Sequence, residues 1–366
     1  MTERERQLLA WIREDPQISQ QALADKAGIT RSSAAVHISN LMKKGYIAGR
    51  GYILRDAPYI TVAGAVNLDI SGTSADAVVP RDSNPGTVRT SLGGVGRNIA
   101  HNLALLGTDV HLVTAFGDDD NGHRIAENCR EIGIDVSDAL VIPGGRTSTY
   151  LFINDADGDM LLAVNDMDIY QTLTPQVLSG KQRVLSGGRA LIVDANLPAE
   201  SLAYLADTVT VPIFADPVST VKAEKLKPLL GKLHTLKPNR MEAELLSGVS
   251  ITDEASLRKA AEVLLSTGLR RVFLSLGSSG VFAADHQEAL LLPPLPGEAV
   301  NTTGCGDAFM AGLGWAYLQN ASLHDAALAG LAASSIALEG AETINPRLSA
   351  QAVLDRIGPQ NSKLSV

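Results

Sequence analysis

The chain runs to 366 residues with 45% hydrophobic and 19% charged side chains, which allows one large α/β domain plus a small one and excludes wholesale disorder. Aromatics at 4% argue against a surface built to stack nucleic-acid bases, and two cysteines, Cys129 and Cys305, exclude a disulfide framework or a cysteine-rich zinc site. Residues 1–13 are charged rather than leader-like, and no apolar run reaches the roughly 18–20 residues of a membrane span, so a cytoplasmic protein is the expectation.

Charge is unevenly divided. Residues 1–58 hold nine Lys+Arg against six Asp+Glu, and the remainder holds 22 against 34. A mildly basic head on an acidic body implies two parts with different partners, at 1–57 and 58–360, with a short tail at 361–366. In the head, Leu8, Leu9 and Ile12 lie at helical spacing over 3–15, and 17–27 forms a second amphipathic helix ended by Gly28. Thr30 caps a third helix over 31–44, with Val36, Ile38 and Leu41 available for its core. Residues 46–54 read as a two-stranded wing with Gly-Arg-Gly at its tip. This order resembles the winged helix-turn-helix of bacterial regulators. If it meets DNA, Arg31, Ser32, Ser33, His37 and Lys43 of the third helix face bases and phosphates, and Arg50 sits on the wing. A dimerisation or docking module is the other reading, since a net +3 is weak against a phosphate backbone.

From Tyr59 onward, short apolar runs at 60–66, 110–116, 190–195, 211–215, 235–236 and 271–276 alternate with helical stretches at 95–106, 122–132, 255–266, 306–318 and 323–337. The alternation predicts a mainly parallel sheet flanked by helices, with ligands bound beyond the carboxyl ends of its strands. Asn67, Asp69, Asn196, Asp216, Asn239 and Gly277 all follow predicted strands. One such residue is ordinarily a turn former; five elements delivering them to one edge make that edge a catalytic one. Segments 70–90 and 147–165 break the alternation and read as strands of a small β lid.

Residues 301–309 read NTTGCGDAF. A Gly-x-Gly opening a helix offers backbone N–H groups at the positive end of the helix dipole, a cradle for a transferring phosphoryl group. Gly304, Cys305 and Gly306 form that cradle, with Cys305 lending backbone rather than a nucleophile. Asp307, in the first turn, is either a general base for a hydroxyl or an ordinary N-terminal helix acid. The GxxxxGK[ST] pattern of P-loop enzymes is absent.

Together with Gly93-Gly94-Val95-Gly96-Arg97-Asn98, the NTTGCGDAF run resembles the paired signatures of the PfkB carbohydrate kinases, which have the ribokinase-like fold, over about residues 58–358. That resemblance implies an ATP- and Mg²⁺-dependent phosphotransferase with Asp307 as base and Gly304–Gly306 as anion hole. It implies sugar-hydroxyl contacts from Asp69, Gly94, Asn98 and Asn196, joined here by Asn67. It assigns Asn239 and Glu242 to magnesium and phosphate, with Glu242 acting through metal-bound water. Ser275, Gly277 and Gly280 fall on the nucleotide loop, with adenine against the helix around Ala332 and Ser335. Asn301 stands where such enzymes often carry an Asp beside a monovalent cation, which puts potassium activation in question. Lys222 is either an ATP-phosphate ligand or a solvated surface lysine. Family members often pair through their lids, so a homodimer is expected.

Within the family, Ser83-Asn84-Pro85-Gly86, the run at 93–107, Asn165-Asp166-Met167, Asp216-Pro217-Val218-Ser219 and HTLKPNR at 234–240 are most similar to pseudouridine kinases. Asn165 and Asn84 would then serve the uracil edge. Another nucleoside such as inosine, a free sugar, and a DNA-binding regulator using the kinase fold as a ligand sensor are the competing readings.

Overall fold

The structure is a computed structural model and describes residues 1–47, 58–156, 160–358 and 360–365. Its contacts divide the chain into two units, Met1–Tyr59 and Ile60–Val366. In the first, helices span Glu3–Glu14, Gln20–Ala27 and Arg31–Lys43. Each opens on a side-chain cap, from Thr2, Ser19 and Thr30 in turn, which satisfies amides that helix starts leave without partners. Leu8, Leu9, Ile12, Leu23, Ile38 and Leu41 close a small core. Val36 does not join it and is 59% exposed. Ala34, Ile38 and Leu41 define the inward face at spacings of four and three, and Val36 falls opposite them. The wing expected over 46–54, with Arg50, lies outside the described residues beyond Ile47.

The second unit is built on nine strands. From one edge their order is Ala289–Leu292, Val281–Asp285, Arg271–Ser275, Thr235–Leu236, Ile213–Asp216, Ala190–Asp194, Tyr59–Ala63, Asp109–Val113 and Ile134–Asp135. Pairing is parallel from Tyr59–Ala63 through Ala190–Asp194 to Arg271–Ser275, and the last two strands at that edge turn antiparallel. That antiparallel pair was not anticipated from sequence. Ile60, Val62 and Ile192 point into one cluster with the helices Val95–Leu105, Cys305–Leu318 and Leu323–Leu338, while Leu191, Val193, Ala215 and Leu236, on the alternate face, are equally buried. Burial of both faces is what parallel strands require, and it explains their unbroken apolar runs.

The lid is one four-stranded sheet ordered Gly86–Gly93, Asn67–Ser74, Thr149–Asn154, Met160–Asp166. Its first two strands reach beyond the expected segment 70–90 at both ends, and Asn67 and Asp69 belong to the lid rather than to a loop after the first sheet strand. Its register separates two faces. Asp69, Ser71, Tyr150, Phe152 and Asn165 share one, and Ile70, Val88, Leu151, Leu162 and Val164 share the other. No helix among the described residues is long and apolar enough to cross a membrane.

Candidate active site

Two glycine-led helix starts meet at the carboxyl edge of the sheet. Gly94 opens the Val95–Leu105 helix at φ 96°, and a Cβ there would stand 2.5 Å from the Ala65 carbonyl oxygen. Gly304 opens the Cys305–Leu318 helix at φ 85°, where a Cβ would lie 2.2 Å from the Thr343 carbonyl oxygen. Both positions need left-handed backbone and close approach, which only glycine supplies. Each brings a functional residue inward within its first turn. Asn98 Nδ2 donates to Asp307 Oδ2 at 2.9 Å, across 209 residues of sequence.

Asp307 keeps some exposed surface on the cleft floor but is otherwise enclosed by protein. Burial first, then repulsion from Asp216, pushes its carboxyl up to about 8, against the lowering effects of Asn98 and Lys237. A carboxyl that titrates near neutrality beside a helix N-terminus is suited to accept a hydroxyl proton. Cys305 does not compete for that role. Burial pushes its thiol up, and Sγ lies 3.8 Å from the Asn301 carbonyl oxygen.

The strand ends around Asp307 are densely charged. Asp194, fully buried, accepts from the Ala65 amide at 2.8 Å and the Asn196 amide at 2.9 Å, tying adjacent crossovers together. Asp216 pairs with Lys237 at 3.1 Å, each side chain 7% exposed. Asn239 and Glu242 form a reciprocal capping box: Asn239 Oδ1 accepts from the Glu242 amide at 2.9 Å, and Glu242 Oε2 accepts from the Asn239 amide at 2.8 Å. The box occupies one oxygen of Glu242 and holds a buried carboxyl whose pKa rises through burial. Lys237 was missed in the sequence. Its signal was a lysine directly after a predicted strand, one residue before Pro238.

On the lid side, Asp69 Oδ1 accepts from Asn67 Nδ2 at 2.9 Å, and burial raises its carboxyl. Its Oδ2 passes so close to Gly93 that a Cβ there would stand 2.0 Å away. Asn67 Oδ1 and Asn98 Oδ1 are buried and have no hydrogen-bond partner among the described residues. A polar cavity of about 450 Å³ lies at the lid's base, lined by Asn165, Asp166, Asn196, Lys222 and Lys225 among others. Lys222 Nζ donates to Asn196 Oδ1 here and reaches Met167 Sδ at 3.6 Å, so this half-buried lysine is held at the wall of the lid cavity. Asn84 is committed elsewhere. Its Oδ1 accepts from the Val79 amide at 2.7 Å and its Nδ2 donates to the carbonyls of Val79 and Asp82, ordering its own loop.

A second cavity, of about 400 Å³, joins the glycine cradle to the antiparallel edge, with Ser275, Gly277, Gly280, Gly306, Ser334 and Ser335 in its wall. Ala332, expected there, is fully buried in the core instead, because the helix turns Leu331, Ser334 and Ser335 outward to the cavity. Asn301 bridges two loops: Oδ1 accepts from the Thr303 amide at 2.9 Å and Nδ2 donates to the Ala341 carbonyl at 3.2 Å. In the head, Arg31, Ser32, Ser33 and Lys43 are exposed. Ser32 and Ser33 hydroxyls lie 3.0 and 2.9 Å from the capping Thr30 hydroxyl, and His37 is half-buried with Nδ1 enclosed.

Residues 57–350 match the model of the pfkB family carbohydrate kinases, and this segment contains both glycine-led helix starts and the Asn98–Asp307 bond between them. The chain belongs to that family. As a pfkB-family kinase it is an ATP-dependent phosphotransferase with the ribokinase-like fold. Residues 1–48 match a winged helix-turn-helix DNA-binding model. The chain is 41% identical to the uncharacterized sugar kinase YeiI of Escherichia coli K12, over 98% of this chain and 99% of that protein. It is 37% identical to the pseudouridine kinase of the same organism, over 83% of this chain and 98% of the other. A crystal structure of a putative sugar kinase from Clostridium perfringens superposes with a TM-score of 0.75 at 35% identity, covering 83% of this chain and 96% of that one.

Proposed function

We propose that this kinase transfers the γ-phosphoryl group of ATP to the 5′-hydroxyl of a ribonucleoside, pseudouridine foremost. The observation that carries the reading is the Asn98–Asp307 bond at a glycine-led helix N-terminus, with unpartnered acceptors on Asn67 and Asn98 close to the same helix starts. Asp307 takes the hydroxyl proton. The Gly304–Gly306 amides face the transferring group. Asp69, Asn67, Gly94 and Asn98 hold the ribose hydroxyls, and the polar cavity of Asn165, Asn196 and Lys222 receives the base. A polar, partly cationic pocket beside the ribose position favours a nucleoside over a free sugar, and the likeness to a pseudouridine kinase supports that choice. Asn84 contributes by ordering the lid loop.

Ser275, Gly277, Gly280 and Ser335 line the ATP side. No cluster of three acidic, histidine or cysteine ligands occurs among the described residues, which fits a magnesium ion held chiefly by phosphates and water. Glu242 would hold that ion through water, and the ion would neutralise charge on the phosphates. The amide of Asn301 already spans its two loops, so turnover without potassium is the expectation.

Two further parts of the reading concern partners. The lid face of Val88, Leu162 and Val164, at 74%, 61% and 56% exposed, is suited to burial against a second copy. A monomer in light scattering would remove this dimer. The exposed Arg31, Ser32, Ser33 and Lys43 favour DNA as the head's ligand, and failure to retard any duplex at low salt would remove that.

The deciding experiment is ADP release with Mg-ATP across pseudouridine, uridine, inosine, cytidine, adenosine, ribose and fructose. Turnover with pseudouridine alone confirms the substrate. Turnover with another acceptor keeps the mechanism and replaces the substrate. Silence across the panel, with nucleoside still bound, points instead to a DNA-binding regulator that uses the fold as a sensor.

A further inference from the structure

We infer that Lys237 is a catalytic residue whose ammonium contacts the transferring phosphoryl group from the sheet side, opposite the helix amides. Lys237 follows the strand Thr235–Leu236 and is 5% exposed. Its Nζ lies 3.3 Å from where a Cβ on Gly306 would stand, so the ammonium sits directly against the first turn of the Cys305–Leu318 helix. An ammonium has three donors, and Asp216, at 3.1 Å, is its one ion-pair partner among the described residues. A buried lysine costs several kcal/mol of desolvation unless charge and hydrogen bonds offset it. One carboxylate offsets the charge but leaves N–H donors to be taken up, and the adjacent cradle is where an anion would take them.

The inference rests on the kinase reading of this cradle and on Asp307 as base. In the transfer, the acceptor oxygen bonds to the γ-phosphorus as the bond to the β,γ-bridging oxygen breaks. The electron pair of that bond leaves on ADP, and the hydroxyl proton passes to Asp307. Lys237 keeps its proton throughout. It donates to an oxygen of the moving group, adding fixed positive charge where the helix amides supply only partial charge. Asp216 aims the ammonium and keeps it from collapsing onto Asp307.

The obvious alternative is that Lys237 merely neutralises Asp216. Three variants separate the two: Lys237→Met, Asp216→Asn, and the double variant, each assayed with whichever acceptor of the panel turns over. A direct phosphoryl contact predicts that Lys237→Met lowers kcat about 10²–10³-fold, the usual loss of one preorganised donor. Acceptor KM and the Kd of a non-hydrolysable ATP analogue should stay nearly unchanged. It also predicts that the double variant, which removes the buried Lys237–Asp216 pair together, folds normally and stays equally slow. Recovery of turnover in the double variant, or kcat near wild type in a folded Lys237→Met, overturns the inference. Asp307→Asn, run alongside, isolates the underlying reading: full activity in that variant removes the base assignment whatever Lys237 does.

Discussion

The floor of the cleft and the cavity at the base of the lid both hold a lysine near asparagine and aspartate, yet they are built differently. On the floor, Lys237, Asp216, Asp307 and Glu242 are fixed by strand ends, a capping box and a helix N-terminus, and Lys237, Asp216 and Glu242 are nearly inaccessible. At the lid, Asn165 is exposed, Lys222 is half-buried, and the strand carrying Asn165 is an edge strand. Charges buried among rigid partners interact strongly and hold geometry, which suits the chemical step. In the proposed function, a wetter pocket on a separate sheet suits discrimination between acceptors.

Changes on the floor should therefore cost turnover, and changes at the lid should cost binding. The largest effect is expected from Asp307→Asn, which should cut kcat by about 10²–10⁴ while calorimetry still shows acceptor binding. The same residue sets a pH signature. In wild type, kcat/KM should climb with pH through about 8 as the free enzyme's Asp307 gives up its proton, and the variant should lack that limb. Stability runs the other way. The folded carboxyl holds its proton up to about 8, whereas the unfolded one releases it at the ordinary aspartate value of 3.8. Stability due to the protonated form is thus full at low pH and lost as pH rises through that window. Melting curves of wild type and Asp307→Asn should diverge in favour of the variant between pH 5 and pH 8, a span chosen inside the window. Parallel curves would mean that Asp307 is ionised throughout.

Asp69→Ala comes next, with acceptor KM raised roughly 10–100-fold, the size of a hydrogen bond to a charged group, and kcat changed much less. An unaltered KM would place the ribose elsewhere. Lys222→Ala is expected to be smaller, about tenfold in KM for the preferred nucleoside, with ribose unaffected. An equal loss for both acceptors would show that the cavity does not read the base. The smallest effect is that of exchanging sodium for potassium, which should leave turnover unchanged because Asn301 closes the loop gap with its own amide. Strong potassium activation would contradict that assignment.

These residues were not equally legible. The two glycine motifs were readable because each needs glycine for a local reason, positive φ and backbone approach, that no distant contact can change. Lys237 was not, since a lysine after a strand is ordinarily solvated, and only the neighbouring Asp216 and Gly306 make it buried and directed. Lys222 was left open between an ATP phosphate and solvent because its sequence position carries no sign of which cavity it lines. Asn84 was read as a base contact, although its own loop takes up its polar atoms.

The sequence by itself determined what depends on short-range chemistry: the Thr30 cap, the apolar runs of strands buried on both faces, the glycine-led helix start at Gly304 and the division into head and body. The tertiary structure decided what depends on which segments become neighbours. It set the turn of the Leu323–Leu338 helix that sends Ala332 inward and Ser334 outward, the joining of lid strands from 67–93 and 149–166 into one sheet, and the Asn98–Asp307 bond across 209 residues. Local propensity acts through a residue's own backbone and immediate neighbours. Burial, charge pairing and pKa are properties of an environment assembled from distant parts of the chain.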